Sequence, residues 1–180
     1  MKYQKRIIII SMLLTLVLVG MVAKKQYTLN TGALVVLKTT PVDPRSLFRG
    51  DYVVLNYDIS RLNVRKFALI KEFKRNDVIF LALQKNDKFW SPIAVFKTMP
   101  EHKEERVIIK GRVTSRSNNS QISIKYGIES YFVPEGEGRD LESLRNKGHV
   151  AMQIAVDTFG NAGVKAVLLD GKPLYIESLF

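Results

Sequence analysis

The run "HVAMQIAVDTFGNAGVKAVLLDGKPLYIESLF", residues 149–180, decides the fold class. Three apolar, β-branched stretches, 149–160, 162–171 and 172–180, are set apart by Gly160-Asn161 and by Asp170-Gly171. Asp-Gly supplies the positive φ that a two-residue hairpin turn requires. Strands joined by such short turns are antiparallel. The pattern recurs upstream. "VIFLALQ" (78–84), the turn "KNDK" and "FWSPIAVFKTM" (89–99) form a meander, and Pro92 restricts the second strand to an edge or a bulge. "RVIIKGRVTSR" (106–116) and "QISIKYGIESYFV" (121–133) are strands joined by "SNNS", residues that suit a turn. "ALVVLKTT" (33–40) and "DYVVLNYDIS" (51–60) complete the set. In the latter, Val53, Leu55 and Tyr57 alternate with Tyr52, Val54 and Asn56, and Leu55 marks the core side.

Two segments depart from this pattern. In 61–77, Phe67, Ile70 and Phe73 have i, i+3 spacing, which suggests a short helix or irregular chain. "PEGEG" (134–138) opens a helix expected over 139–147, with Leu141 and Leu144 on one side and Gly148 as its C-cap. The expected class is mainly β with minor α: one largely antiparallel domain over 33–180 with one or two short helices.

The N-terminus sets the location. "MKYQKR" (1–6) precedes "IIIISMLLTLVLVGMVA" (7–23), which carries no charge, and Lys24 and Lys25 follow. As a helix, this run covers about 25 Å, the short end of what spans a hydrocarbon core, and lysines at its ends extend the reach. No polar face interrupts it, which argues against a soluble core helix. A cleaved signal peptide is the rival reading, but it would place Met21 at the −3 position, where small residues are needed. The expected arrangement is a cytoplasmic tail (1–6), a signal anchor (7–23), a connector (24–32) and a domain outside the cytoplasm.

Length and composition support this. A chain of 180 residues, 46% hydrophobic, has enough apolar material for one core. With no cysteine, disulfides and thiolate chemistry are excluded. Five of the 28 basic residues flank the span, which leaves 23 basic against 17 acidic residues, a net +6 for the domain. These charges are interspersed, without the basic stripe that nucleic-acid binding needs.

Catalytic motifs fall short. His102 and His149 have no ligand spacing to a partner. Neither a P-loop nor G-x-S-x-G is present, and no motif implies a metal or a cofactor. "RGDYVVL" superficially resembles a strand of bacterial type I signal peptidases. The only Ser-Met pair is Ser11-Met12, inside the apolar run, where no serine-lysine dyad can attack a substrate in water. Asp51 suits a turn and Gly50 a positive φ, while Pro44 stiffens the loop before them. Arg45 or Arg49 can clamp a carboxylate. Glu129, Glu135 and Glu137 lie beside Tyr126, Tyr131 and Phe132, a combination that can line a groove or do acid–base work.

"GDYVVLNY" (50–57) fits G-D-Y-x-x-L-x-Y through Gly50, Asp51, Tyr52, Leu55 and Tyr57. With "PVDPRSLFR" before it and "YGIESYFVPEGEG" later in the chain, the sequence resembles the GDYXXLXY protein family. That family consists of bacterial membrane-anchored proteins without an assigned reaction, often encoded near multi-pass membrane proteins. The resemblance implies an anchored domain and, as a candidate partner, a multi-pass membrane protein. It points to Asp43, Arg45, Arg49, Asp51, Tyr52, Tyr57, Tyr126, Glu129, Tyr131 and Glu135 as contact residues, with Pro44, Gly50, Leu55, Gly136 and Gly138 shaping the loops. The leading expectation is a non-enzymatic accessory protein of the bacterial envelope. The alternatives are a binding domain for an anionic envelope polymer or lipid and a carboxylate-based hydrolase.

Intact-mass measurement of protein purified from membranes tests the anchor. The expected mass includes residues 2–23; a mature chain beginning at Lys24 contradicts it.

Overall fold

A computed structural model describes residues 2–40, 52–63, 67, 73–101, 103, 105–117, 121–132 and 150–176. Its first element is α1, Lys2–Thr31. The strands that follow are β1 (Ala33–Thr40), β2 (Tyr52–Val54), β3 (Asn56–Tyr57), β4 (Arg61–Asn63), β5 (Val78–Asn86), β6 (Phe89–Phe96), β7 (Arg106–Ser117), β8 (Gln121–Lys125), β9 (Ser130–Phe132), β10 (Val150–Val156), β11 (Ala162–Leu169) and β12 (Lys172–Ile176). Every ladder is antiparallel. One sheet has the order β12-β11-β10-β1-β3, a second the order β4-β8-β7-β5-β6, and β2 pairs with β9.

The two large sheets share one core. Val35, Leu37, Met152, Ile154 and Val167 come from the first; Ile79, Leu81, Leu83, Ile109, Val113 and Ile122 come from the second. Alternation supplies these residues. In β8, Ile122 and Ile124 are buried while Gln121 and Lys125 are exposed, as the period-2 pleat demands. Asp170 and Gly171 both have positive φ, 49° and 84°, the signature of the type I′ hairpin turn. β6 is an edge strand whose register shifts where Leu83 faces Pro92, so the proline costs no interior ladder bond.

One strand expectation changes. Residues 51–60 do not form one strand. β2 pairs with β9, Leu55 donates its N–H to the Glu129 carbonyl at 2.8 Å, and β3 pairs with β1. A 3₁₀ turn, Asp58–Ser60, then delivers the chain to β4 in the second sheet. The stretch therefore crosses from one sheet to the other. In 61–77 the described residues form β4 and a turn at Arg75-Asn76; the short helix or irregular chain expected around Phe67, Ile70 and Phe73 falls mostly outside the described residues. The helix expected over 139–147 lies outside the described residues.

α1 is long and apolar enough to cross a membrane. At 30 residues it is about 45 Å long, comparable to a bilayer with its headgroups. Its large apolar side chains from Ile7 to Val22 are 54–74% exposed, so no protein surface covers them. Thr15 spends its hydroxyl on the Ser11 carbonyl at 2.9 Å, which removes a polar group from the helix surface.

Residues 24–31, expected within a connector, continue this helix. Its last turn is built into the domain. Thr28 and Leu29 are buried, and Leu29 lies over Gly163 of β11. The Thr28 hydroxyl donates to Asp157 Oδ2 at 2.8 Å. Asp157 also accepts from the Phe159 and Asn161 backbone N–H groups at 2.9 and 2.8 Å and from Asn161 Nδ2. Gly160 of the same turn accepts from Lys110 N–H of β7 at 2.8 Å. One five-residue turn thus ties helix, first sheet and second sheet together. Gly32 makes the approach feasible: a Cβ there would stand 2.5 Å from the Thr28 carbonyl and 2.8 Å from Val156 N.

Burial alone would push the Asp157 carboxyl up, but hydrogen bonds from Asn161, Thr28 and Phe159 outweigh it and hold the group below its ordinary value. Its stabilising contribution is therefore full above the unfolded pKa and is lost as pH falls through the lower folded value. Asp157→Ala, which strands these donors, is expected to cost roughly 1–3 kcal/mol. Between about pH 5 and pH 3, wild type should lose more stability than Asp157→Asn. Thermal unfolding of the full chain in detergent checks both; parallel acid limbs contradict the assignment.

Candidate functional site

The described parts of the two sequence blocks that stand out, 52–60 and 126–132, meet in the fold. Tyr52, Val53 and Val54 lie opposite Phe132, Tyr131 and Ser130. Beyond this ribbon, two tyrosines cross. Tyr57 Oη donates to the Ile128 carbonyl at 2.7 Å, and Tyr126 Oη donates to the Ile59 carbonyl at 2.8 Å. Each block therefore holds the backbone of the other. Leu55 and Tyr57 are 1% and 2% exposed, and Tyr126 and Tyr131 are also buried.

Glu129 serves the same joint. Its carboxylate accepts from the backbone N–H groups of Tyr126 and Gly127, which fixes the turn where Gly127 takes φ 82°. Burial first, and the nearby Glu129 charge second, push both Tyr57 and Tyr126 phenols well above the ordinary value of 10.0. Both are held neutral as donors. Neither hydroxyl is left to a substrate, and Glu129, one of the carboxylates of the hydrolase alternative, is engaged with its own turn; the others, Asp51 and Glu135, lie outside the described residues.

These interactions explain the motif pattern. Position L of G-D-Y-x-x-L-x-Y enters the core where the chain changes partners. The last Y must be tyrosine because its hydroxyl closes the clasp. A family model, that of the GDYXXLXY protein, matches residues 14–167. The chain belongs to the GDYXXLXY family. No curated protein and no solved structure matches it.

Of the contact residues expected in this GDYXXLXY chain, Tyr57, Tyr126, Glu129 and Tyr131 are brought together with the backbone of Tyr52. Asp43, Arg45, Arg49, Asp51 and Glu135, with Pro44, Gly50, Gly136 and Gly138, lie outside the described residues. The points where their segments join the fold are described. Segment 41–51 runs from Thr40 to Tyr52, and segment 133–149 from Phe132 to Val150. Tyr52 faces Phe132, and the Thr39 hydroxyl donates to the Val150 carbonyl. The attachment points of the two segments are therefore neighbours. A recess of about 190 Å³ is lined by Lys38, Tyr57, Asp58, Phe89 and Trp90 among others.

Sequence reasoning missed a second feature, a notch of about 410 Å³ lined by Lys110, Arg112, Lys125, Gly127 and Asn161 among others. "KGRV" places Lys110 and Arg112 on one face by the period-2 rule; the partner Lys125 depends on register.

Tyr57→Phe or Tyr126→Phe should each cost about 1–3 kcal/mol, because a buried carbonyl loses its donor. With raised folded pKa values, the phenols contribute fully below about pH 10 and lose that contribution as pH rises through the folded values. The double variant should therefore show a shallower alkaline stability loss in pH-dependent unfolding. An unchanged alkaline limb would remove the clasp from the account.

Proposed function

We propose that this chain is a membrane-anchored accessory protein of the bacterial envelope. α1 is its single-pass anchor, with residues 1–6 on the cytoplasmic side and the β-rich domain outside. Its contact surface is carried by segments 41–51 and 133–149. The observation that supports this is the pairing of their attachment points: Tyr52 opposite Phe132, and Thr39 bonded to Val150. The segments hold Asp43, Arg45, Arg49, Asp51 and Glu135, groups suited to charge-assisted contacts with another protein.

The position of that surface narrows the partner. β1 begins next to the helix end at Ala33 and reaches the surface at Thr40. Its seven steps cover about 23 Å. A multi-pass membrane protein would meet this surface through a part that stands outside the bilayer. The tyrosine clasp then has a mechanical role, holding the attachment points of the two segments in register.

Crosslinking in intact membranes, followed by purification of the full chain, tests the reading. One membrane protein should be captured by wild type, and at least about tenfold less by Arg45→Ala, the loss expected when a desolvated charge contact is truncated. Unfolding of that variant should be unchanged. Equal capture by both, or no specific capture by wild type, contradicts the proposal.

A further inference from the structure

The notch between β7, β8 and the 157–161 turn has an unusual charge pattern. Arg112 and Lys125 are directly opposite each other in the β7–β8 ladder. Like charges in that position repel and destabilise a sheet. Lys110, two residues along on the same face, adds a third cation, and all three are exposed. Opposite Cβ atoms are about 5 Å apart and Lys110 about 7 Å along the strand; Arg112 Nη1 donates to the Asn76 carbonyl at 3.0 Å, which leaves the other guanidinium N–H groups for a phosphate shared with the two lysines. No acidic side chain is among the described residues lining the notch. The carboxylates nearest in the chain path, Asp77, Glu129 and Asp157, already accept hydrogen bonds from their own turns.

The notch exists because β8 gives way. Its ladder with β7 ends at Arg112–Lys125, and Lys110 N–H turns instead to the Gly160 carbonyl. Asn161, which lines the notch, bonds Asp157, and Asp157 bonds Thr28 of the helix. The notch is therefore tied to the end of α1. Thr28 lies five residues past Ala23, about 7 Å of helical rise. That distance is roughly the depth of one headgroup layer. In the 157–161 turn Phe159 is 70% exposed, and Tyr27, next to Thr28, and Leu34, at the start of β1, are 54% and 49% exposed. Aromatic side chains at this level suit the membrane interface.

We infer that the notch formed by Lys110, Arg112 and Lys125 seats the phosphate of an anionic lipid headgroup, in the leaflet that the C-terminal end of α1 leaves. This rests on the reading of α1 as a membrane anchor. The bound lipid relieves the Arg112–Lys125 repulsion and, with Phe159 at the interface, holds the domain on the bilayer in one orientation.

The test uses full-length protein extracted with phosphatidylglycerol or phosphatidylcholine and washed, with retained lipid measured by mass spectrometry. The notch variant is Lys110→Gln with Arg112→Gln and Lys125→Gln. The charge-matched control is Lys85→Gln with Lys88→Gln and Lys172→Gln. Wild type and control should retain phosphatidylglycerol over phosphatidylcholine by about tenfold or more, and the notch variant should not, as removal of three surface cations predicts. Equal loss in both triple variants assigns the effect to net charge and overturns the site. Displacement by excess inorganic phosphate, without preference for lipid, assigns the notch to free phosphate and overturns the lipid. Carbonate extraction separates the anchor: protein that stays in membranes but shows no lipid preference overturns the notch alone, whereas release from membranes overturns the anchor and the lipid assignment together.

Discussion

The Asp157 carboxylate is the constraint on which the rest of the structure depends. A buried acid is costly unless its oxygens are satisfied. Here they accept from Thr28 of α1 and from Phe159 and Asn161 of their own turn. The same turn reaches the second sheet through Gly160 and Lys110. Geometry reinforces the chemistry, because Gly32 lets the helix end close against Val156 without a side chain between them. The chain passes from helix to β1 through this one residue. A domain held this way cannot swivel about a flexible stalk, so the direction in which each of its surfaces points is set by the helix.

The opposite end of β1 is organised by a different joint. Tyr57 and Tyr126 each bond a carbonyl of the other's segment, and Glu129 pins the turn between Tyr126 and Gly127. This joint is what the family motif encodes. The motif residues described by the fold build a platform; in the proposed function the charged residues next to them in sequence, from Asp43 to Asp51, make the contacts. One end of the domain thus carries the helix junction, three exposed cations and an exposed phenylalanine, and the other end carries the tyrosine clasp.

Local signals in the chain made much of this legible. Asp170-Gly171 announced its hairpin, Pro92 its edge strand, and the uncharged run 7–23 its helix. Leu55 was readable as core from alternation alone. What escaped depended on long-range partners. Lys24, Lys25, Gln26 and Asn30 end the apolar run, so hydropathy stops at Ala23 while the helix, docked through Thr28 and Leu29, continues to Thr31. The split of 51–60 was invisible because β2 and β3 satisfy different neighbours, β9 and β1, within one continuous stretch of strand-forming residues. Thr28 and Asp157 are 129 residues apart, and no periodicity connects them. Arg112 and Lys125 face each other only because of the β7–β8 register, which shifts between Val113 and Ser115. Alternation puts Tyr57 on the core side with Leu55, but the inward direction of Tyr126 and the carbonyls that both hydroxyls reach could be known only from the fold.

The central claim is that helix and domain form one rigid body, joined at Asp157. The absence of cysteine allows two spin labels to be placed uniquely, one at Val22→Cys in the helix and one at Lys172→Cys at the far hairpin of the domain. Pulsed electron–electron distance measurement in lipid bilayers should give one narrow distance distribution, and Asp157→Ala should broaden it. A broad distribution in the otherwise native chain, unchanged by Asp157→Ala, would contradict the account.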